Sequence, residues 1–245
     1  MRIGILEAGK VNPALVPAHG GYPEIFRAFL SPALPEAEFL DVDVVSGARP
    51  GAPGTADAWL VTGSRHGVYD DLAFIAPLRA FLAEAVAAGV PVVGICFGHQ
   101  ILAEALGGRA EKAAGGWGMG RVRYEVTARP GWMAGAGKSF AGYAFHQDQV
   151  TAPPPGATVL ARTDHCPFAA LAYGDPEAPD AISVQPHPEF TTPYLADLIA
   201  LRRGDGVAED VADRAAASLS EPAGEEWQGW IAAYLRAAVA RRRAA

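Results

Sequence analysis

Basic residues, cysteines and long apolar runs are scarce in this chain, and each shortage excludes something. Lys and Arg total 20 against 27 Asp and Glu in 245 residues, for a net charge of −7. Nucleic-acid surfaces need the reverse balance. The one basic cluster, Arg241-Arg242-Arg243, suits a helix C-terminus, where cations meet the negative end of the dipole. Two cysteines, Cys96 and Cys166, are too few for a disulfide framework and fit a reducing compartment. No stretch reaches the roughly 20 apolar residues of a membrane span. The N-terminal MRIGILEAGK is too short in apolar residues for a signal peptide and carries Glu7 within it. His165 stands beside Cys166 without further ligands at metal spacing, so no metal site is expected. A cytoplasmic protein that uses neither nucleic acid nor membrane is the expectation.

What is present is ordinary globular composition, 50% hydrophobic and 19% charged, at a length that can bury one large core. Strands are predicted at Arg2–Leu6, Phe39–Val45, Asp57–Thr62 and Pro91–Ile95. Helices are predicted at Tyr22–Leu30 and within Asp70–Gly89, with Phe74, Leu78, Phe81, Leu82 and Val86 on one face. Such alternation signals an α/β fold with a doubly wound, flavodoxin-like, mostly parallel sheet, whose functional groups gather beyond the carboxyl ends of the strands. Gly115–Gly120 reads as a loop. It precedes no helix and lacks a Lys-Ser/Thr end, which excludes a phosphate-binding loop. Beyond it, alternation at Arg121–Val126 and short apolar runs at Thr158–Arg162, Phe168–Tyr173 and Ala181–Gln185 predict an antiparallel extension. From Thr192 two or three helices follow, the last at Glu225–Ala240. The expected division is a main domain at 1–200 with a helical extension at 201–245.

The chain is organised around Pro91–Gly108, PVVGICFGHQILAEALGG. A buried strand stops at Gly94-Ile95-Cys96-Phe97-Gly98 and an amphipathic helix begins at once. Gly-x-nucleophile-x-Gly between strand and helix is the sequence form of a nucleophile elbow. Its apex, Cys96, lies near a helix N-terminus, where unpaired amides favour a thiolate. The competing reading is a structural cysteine packed behind a βα turn. A cysteine nucleophile needs a base, and the base an orienting carboxylate. His187 directly follows a predicted strand in Gln185-Pro-His-Pro-Glu189, where the prolines restrict the backbone and Glu189, two residues on, points the same way in an extended segment.

GICFGHQ, FHQDQV and QPHPEF, in that order, resemble the class I glutamine amidotransferases, from about Arg2 to about Leu201. The resemblance implies a Cys96-His187-Glu189 triad that cleaves the γ-amide of glutamine, or of another γ-glutamyl compound, through a cysteinyl thioester. It implies an oxyanion hole from backbone N–H groups of Phe97 and of the Gly63-Ser64 turn, where many relatives carry two glycines. It implies substrate contacts from Gln100 and from His146-Gln147-Asp148, with Asp148 on the α-amino group. No cofactor is implied.

Three functional readings follow. The first is a glutaminase, closest in style to that of GMP synthases, supplying ammonia to a separate synthetase subunit. The second is a stand-alone γ-glutamyl hydrolase, because Thr62-Gly-Ser-Arg-His66 resembles the Ser-Gly-Ser-Pro-His stretch of plant γ-glutamyl peptidases. The third is a silent regulatory domain, against which Cys96, His187 and Glu189 stand together. An apolar stripe left open on the C-terminal helices would serve a partner or a homodimer; one folded back would serve the chain itself. Ala8–Gly21 and Lys112–Gly120 are the loops expected to surround the leaving amine, with His19 and His66 also placed to reach the site mouth.

Overall fold

The computed structural model describes residues 1–244. Eleven strands and seven α-helices alternate as β1 Arg2–Glu7, α1 Val16–His19, α2 Tyr22–Leu30, β2 Glu38–Asp43, β3 Ala58–Val61, α3 Ile75–Ala87, β4 Val92–Ile95, α4 Phe97–Ala105, β5 Arg109–Lys112, β6 Gly118–Val126, β7 Ser139–His146, β8 Asp148–Ala152, β9 Ala157–Arg162, β10 Ala170–Tyr173, β11 Ala181–Val184, α5 Thr192–Arg202, α6 Glu209–Ala217 and α7 Glu225–Ala244. The main sheet has the order β2-β1-β3-β4-β11-β10-β9-β6-β7. From β2 to β11 neighbours run parallel; from β11 to β7 they run antiparallel. β5 and β8 form a separate two-stranded antiparallel sheet.

The parallel strands read as unbroken apolar runs because both of their faces are buried. Ile3, Ile5, Leu60, Val93 and Ile95 face one core, together with α2, α5 and α7. The alternate positions Leu6, Trp59, Val61 and Val92 face the other, with α3 and α4. Leu78, Phe81 and Leu82 are the buried stripe of α3, and Pro77 lies in its first turn, where its missing N–H costs nothing.

The predicted loop at Gly115–Gly120 ends earlier than expected, because β6 begins at Gly118 and pairs with β7 from that residue on. The β7 strand and the β5–β8 pair were not foreseen. β5 and β8 are mostly polar, and β7 mixes aromatics with small residues without strict alternation, so what orders them is cross-strand pairing rather than local pattern. The antiparallel half returns toward the centre, so that the Tyr143 carbonyl of β7 accepts the His187 N–H at 2.8 Å.

The C-terminal helices fold back on this framework. Trp227, Trp230, Ile231, Tyr234 and Leu235 of α7 are buried in the first core. Trp230 Nε1 donates to the Ala134 carbonyl at 3.1 Å and Tyr234 OH to the Asp180 carbonyl at 2.9 Å. Of the basic cluster, Arg241 donates to the Pro179 carbonyl and Arg243 pairs with Asp57 at 2.9 Å. These cations fasten the helix end to the sheet. Among the described residues no helix is long and apolar enough to cross a membrane.

Candidate functional site

Cys96 caps the N-terminus of α4 with φ 52° and ψ −102°, and it is the one non-glycine residue at positive φ among those described. Such a conformation is uncommon for a side-chain-bearing residue and persists only where the surroundings impose it. Here they do. A Cβ on Gly94 would collide with the Gly98 carbonyl, and one on Gly98 would collide with the Val61 carbonyl. Both glycines therefore let α4 pack hard against β3 and β4, which forces the sharp reversal at the apex. The Cys96 N–H donates to the Val184 carbonyl of β11 at 2.8 Å, and this ties the apex to the neighbouring strand.

That strand leads into Gln185-Pro-His-Pro-Glu189. The β4 and β11 strands are parallel neighbours, with Ile95 opposite Val184, so Cys96 and the segment carrying His187 leave the sheet side by side. His187 Nδ1 is 2.7 Å from Glu189 Oε1, and both side chains are buried. Phe190 stacks on the imidazole with ring centroids 3.9 Å apart and planes 6° apart. Burial would lower the His187 pKa, but the charges of Cys96 and Glu189, and hydrogen bonds to both, overcome it and raise the value to about 10. The sign is testable by following the imidazole proton resonance with pH. Cys96→Ala removes one of the two raising charges and leaves burial in place, so the midpoint moves down. A midpoint that stays where it was in the parent would contradict this account.

The Gly63-Ser64 turn approaches the same point, since a Cβ on Gly63 would lie 2.9 Å from His187 Cε1. Thr62 Oγ1 accepts from the Ala8 N–H and donates to the Gly63 carbonyl, each at 3.0 Å, and so fixes the turn's orientation. Among the described residues, the N–H groups of Gly63, Ser64 and Phe97 donate to no other backbone or side-chain atom. Unpaired amides near a nucleophile are the kind of donor that a developing oxyanion needs.

A cavity of about 540 Å³ has Cys96, His187, Ser64, Gln100, His146, Gln147 and Asp148 in its lining. The Asp148 carboxylate accepts from Tyr69 OH at 2.9 Å and, among the described residues, meets no cation. Gln100 Nε2 donates to the Asp148 carbonyl at 2.9 Å and to Gln185 Oε1 at 3.1 Å, leaving its carbonyl oxygen for other partners. His146 Nδ1–H donates to the same Asp148 carbonyl at 3.0 Å. Burial lowers the His146 pKa to about 3, so the ring is neutral and shapes the segment without adding charge. Gln147 offers its carbonyl to the Ala113 N–H at 2.7 Å, which joins this stretch to the loop after β5.

The Ala8–Gly21 and Lys112–Gly120 stretches both contribute to the cavity lining, one through Lys10, Val11, Asn12 and Pro13 and the other through Lys112 and Trp117. His66 lines the cavity, whereas His19 pairs with Asp197 at 2.7 Å and lines a different pocket. Trp59 is fully buried packing and Trp117 is a wall of the cavity. Among the described residues no group of three or more metal-ligating side chains converges. Sequence reasoning missed Tyr22, Tyr69, Phe190 and Gln185. Gln185 and Phe190 carried a local signal, since both lie in the QPHPEF stretch around His187; Tyr22 and Tyr69 depend on long-range contacts.

A sequence model of the family described as glutamine amidotransferase class-I matches residues 63–197. Gamma-glutamyl peptidase 5 of Arabidopsis thaliana is 32% identical over 227 residues, which cover 86% of each chain. The glutamine-hydrolyzing GMP synthase of Thermus thermophilus is 38% identical over 136 residues, 54% of this chain but only 24% of that enzyme. A glutamine amidotransferase structure from Thermotoga maritima superposes with a TM-score of 0.70 at 19% identity, covering 98% of both chains, and shares the fold. With the α/β architecture and these matches together, the chain belongs to the class-I glutamine amidotransferase family.

Proposed function

We propose that this protein hydrolyses a γ-glutamyl amide bond with Cys96 as nucleophile, His187 as acid-base and Glu189 as its orienting partner. The observation that carries this is the meeting at one cavity of the Cys96 apex, His187 with its buried partner Glu189, and Ser64, while Gly63 and Phe97 adjoin Ser64 and Cys96 in the chain. In the proposed reaction the Cys96 thiolate attacks the γ-carbonyl carbon, and the oxygen, now charged, accepts those N–H groups. Collapse breaks the C–N bond while His187 gives its proton to the departing amine. Water then attacks the thioester, His187 takes its proton, and glutamate leaves with the Cys96 thiolate restored. Asp148 is assigned the α-ammonium of the glutamyl group. Lys112, at the start of the loop expected around the leaving amine, is reassigned to the α-carboxylate because it is the register partner of Asp148 across β5 and β8. Gln100, His146 and Gln147 hold that segment in place. No cofactor enters any step.

A self-contained γ-glutamyl hydrolase is preferred over an ammonia donor to a synthetase. The match to the Arabidopsis peptidase runs over most of both chains, whereas the match to the Thermus GMP synthase covers about a quarter of that enzyme. The apolar stripe of α7 is also spent on the chain's own core. The test is glutamate release by the purified chain from glutamine and a panel of γ-glutamyl amides and peptides. Rapid release from one of them supports the reading, and its absence from all of them, with release restored by an added synthetase, favours the ammonia donor. Glu189→Gln should lose activity about 100-fold less than His187→Ala, because a triad's third member orients rather than transfers the proton. Equal losses would remove Glu189 from its assigned role.

A further inference from the structure

The backbone and the carboxylate of Asp148 are held by different groups. Its carbonyl accepts from Gln100 Nε2 at 2.9 Å and from His146 Nδ1 at 3.0 Å, and its backbone pairs with Lys112. Its carboxylate has one partner among the described residues, the Tyr69 hydroxyl, which donates to Oδ2 at 2.9 Å. Tyr69 stands in a turn built for this reach. The Gly67 N–H donates to Asp70 Oδ2 at 3.0 Å, the Asp70 N–H donates to the Gly67 carbonyl at 3.1 Å, and Val68 is buried in the second core. A Cβ on Gly67 would lie 2.7 Å from the Tyr69 ring and 3.1 Å from Asp148 Oδ2, so a side chain there would drive the ring off the carboxylate. The turn is continuous with Gly63-Ser64, since the His66 N–H donates to Ser64 Oγ at 3.2 Å. Tyr69 is 56% exposed, and a ring that buries so little adds little to packing. What it does is present a hydroxyl to a carboxylate in the cavity lining. Partial burial, and then the hydrogen bond and charge of Asp148, raise the Tyr69 pKa to about 12, so the phenol remains a donor at neutral pH.

We infer that Tyr69 is a positioning residue for the glutamyl end of the substrate: its hydroxyl fixes Oδ2 of Asp148 so that Oδ1 meets the α-ammonium, and it thereby sets the preference for substrates that carry an α-amino group. This rests on the γ-glutamyl hydrolase reading, in which Asp148 receives that group. Oδ1 has no hydrogen-bond partner among the described residues, so an ammonium on Oδ1 and the phenol on Oδ2 satisfy both oxygens together. Without the hydroxyl the carboxylate can turn about its terminal torsion, whose preferences are broad. One short segment then serves both ends of the glutamyl group, with Ser64 at the reacting carbonyl and Tyr69 behind the α-amino contact.

The test compares γ-glutamyl-p-nitroanilide with glutaryl-p-nitroanilide, which lacks only the α-amino group and keeps the same leaving group. Calorimetric binding to the full chain carrying Cys96→Ala is measured first, and p-nitroaniline release by the parent second. Tyr69→Phe removes a hydroxyl from an exposed ring and keeps the fold. It is expected to weaken binding of the γ-glutamyl compound about three- to tenfold, the range of one hydrogen bond, and to leave the glutaryl compound unchanged. On an Asp148→Asn background the same substitution should have no further effect. In turnover the factor should appear in KM and not in kcat, because the interaction is made equally before and during the reaction. An equal loss for both compounds would make Tyr69 a plain wall. That result, no loss for either, no binding of either, or a loss that persists with Asp148→Asn would overturn the assignment. Turnover separates this from the parent reading. Tyr69-dependent selection without release from this or any γ-glutamyl compound would leave the assignment standing and overturn hydrolysis. Release without that selection would do the opposite.

Discussion

Replacing Cys96 by alanine is expected to abolish glutamate release, a loss on the order of 10⁴- to 10⁶-fold, while the fold survives. The size of the loss follows from the proposed mechanism. Without the sulfur no thioester forms, and what remains is whatever rate the oxyanion groups and bound water supply, as when the nucleophile of a triad is removed. Survival of the fold follows from the site's construction. The positive φ at Cys96 is imposed by the close approach of Gly94, Gly98 and Val61, and alanine inherits that backbone without adding bulk. The Cys96 N–H bond to Val184 is also kept. Circular dichroism and a denaturant midpoint near the parent's, alongside absent turnover, are the paired readouts. Retained turnover would mean that the nucleophile lies elsewhere, and a lost fold would mean that the sulfur is structural.

The second large effect is expected far from the cavity. Trp227→Ala should lower the free energy of unfolding by about 3–5 kcal/mol, the usual range for truncating a buried aromatic. Trp227 is 0% exposed and sits edge-on to Phe140 and Trp230, with ring centroids 5.6 Å and 5.1 Å apart. Phe140 stacks in turn on Tyr124 at 5.2 Å, so the loss would be felt across α7, β7 and β6. A shift of the denaturant midpoint measures it. A change below about 1 kcal/mol would show that α7 covers the sheet without stabilising it.

The parallel half of the fold was legible because its strands are short, β-branched and bounded by Gly and Pro, and its helices carry apolar stripes. Tyr22–Leu30 forms as a helix with the predicted ends. The elbow was legible for a related reason, since Gly94, Cys96 and Gly98 are spaced by a steric requirement local to five residues. The antiparallel half was harder. Strands β5 and β8 take their order from each other, and nothing within Arg109–Lys112 or Asp148–Ala152 announces the pairing. The cavity walls were hardest of all. Tyr69 reaches Asp148 across 79 positions of sequence, and Trp117 reaches Gly206 across 89, so neither contact leaves a mark on its own neighbourhood.

The separation between the paired strands β4 and β11 and the little sheet β5–β8 has a consequence for how such a scaffold can diversify. The proposed nucleophile Cys96 and proton carrier His187 follow adjacent strands of one sheet, so their spacing is set by that sheet and not by the rim. The other residues that line the cavity hang on a hairpin, on loops and on a helix. Those parts can be lengthened, recharged or exchanged without disturbing the sheet. If the proposed triad is the engine, it can be fitted with many gates, and a shift in diet would be written in rim loops such as Lys112–Gly120 while Cys96, His187 and Glu189 stay as they are.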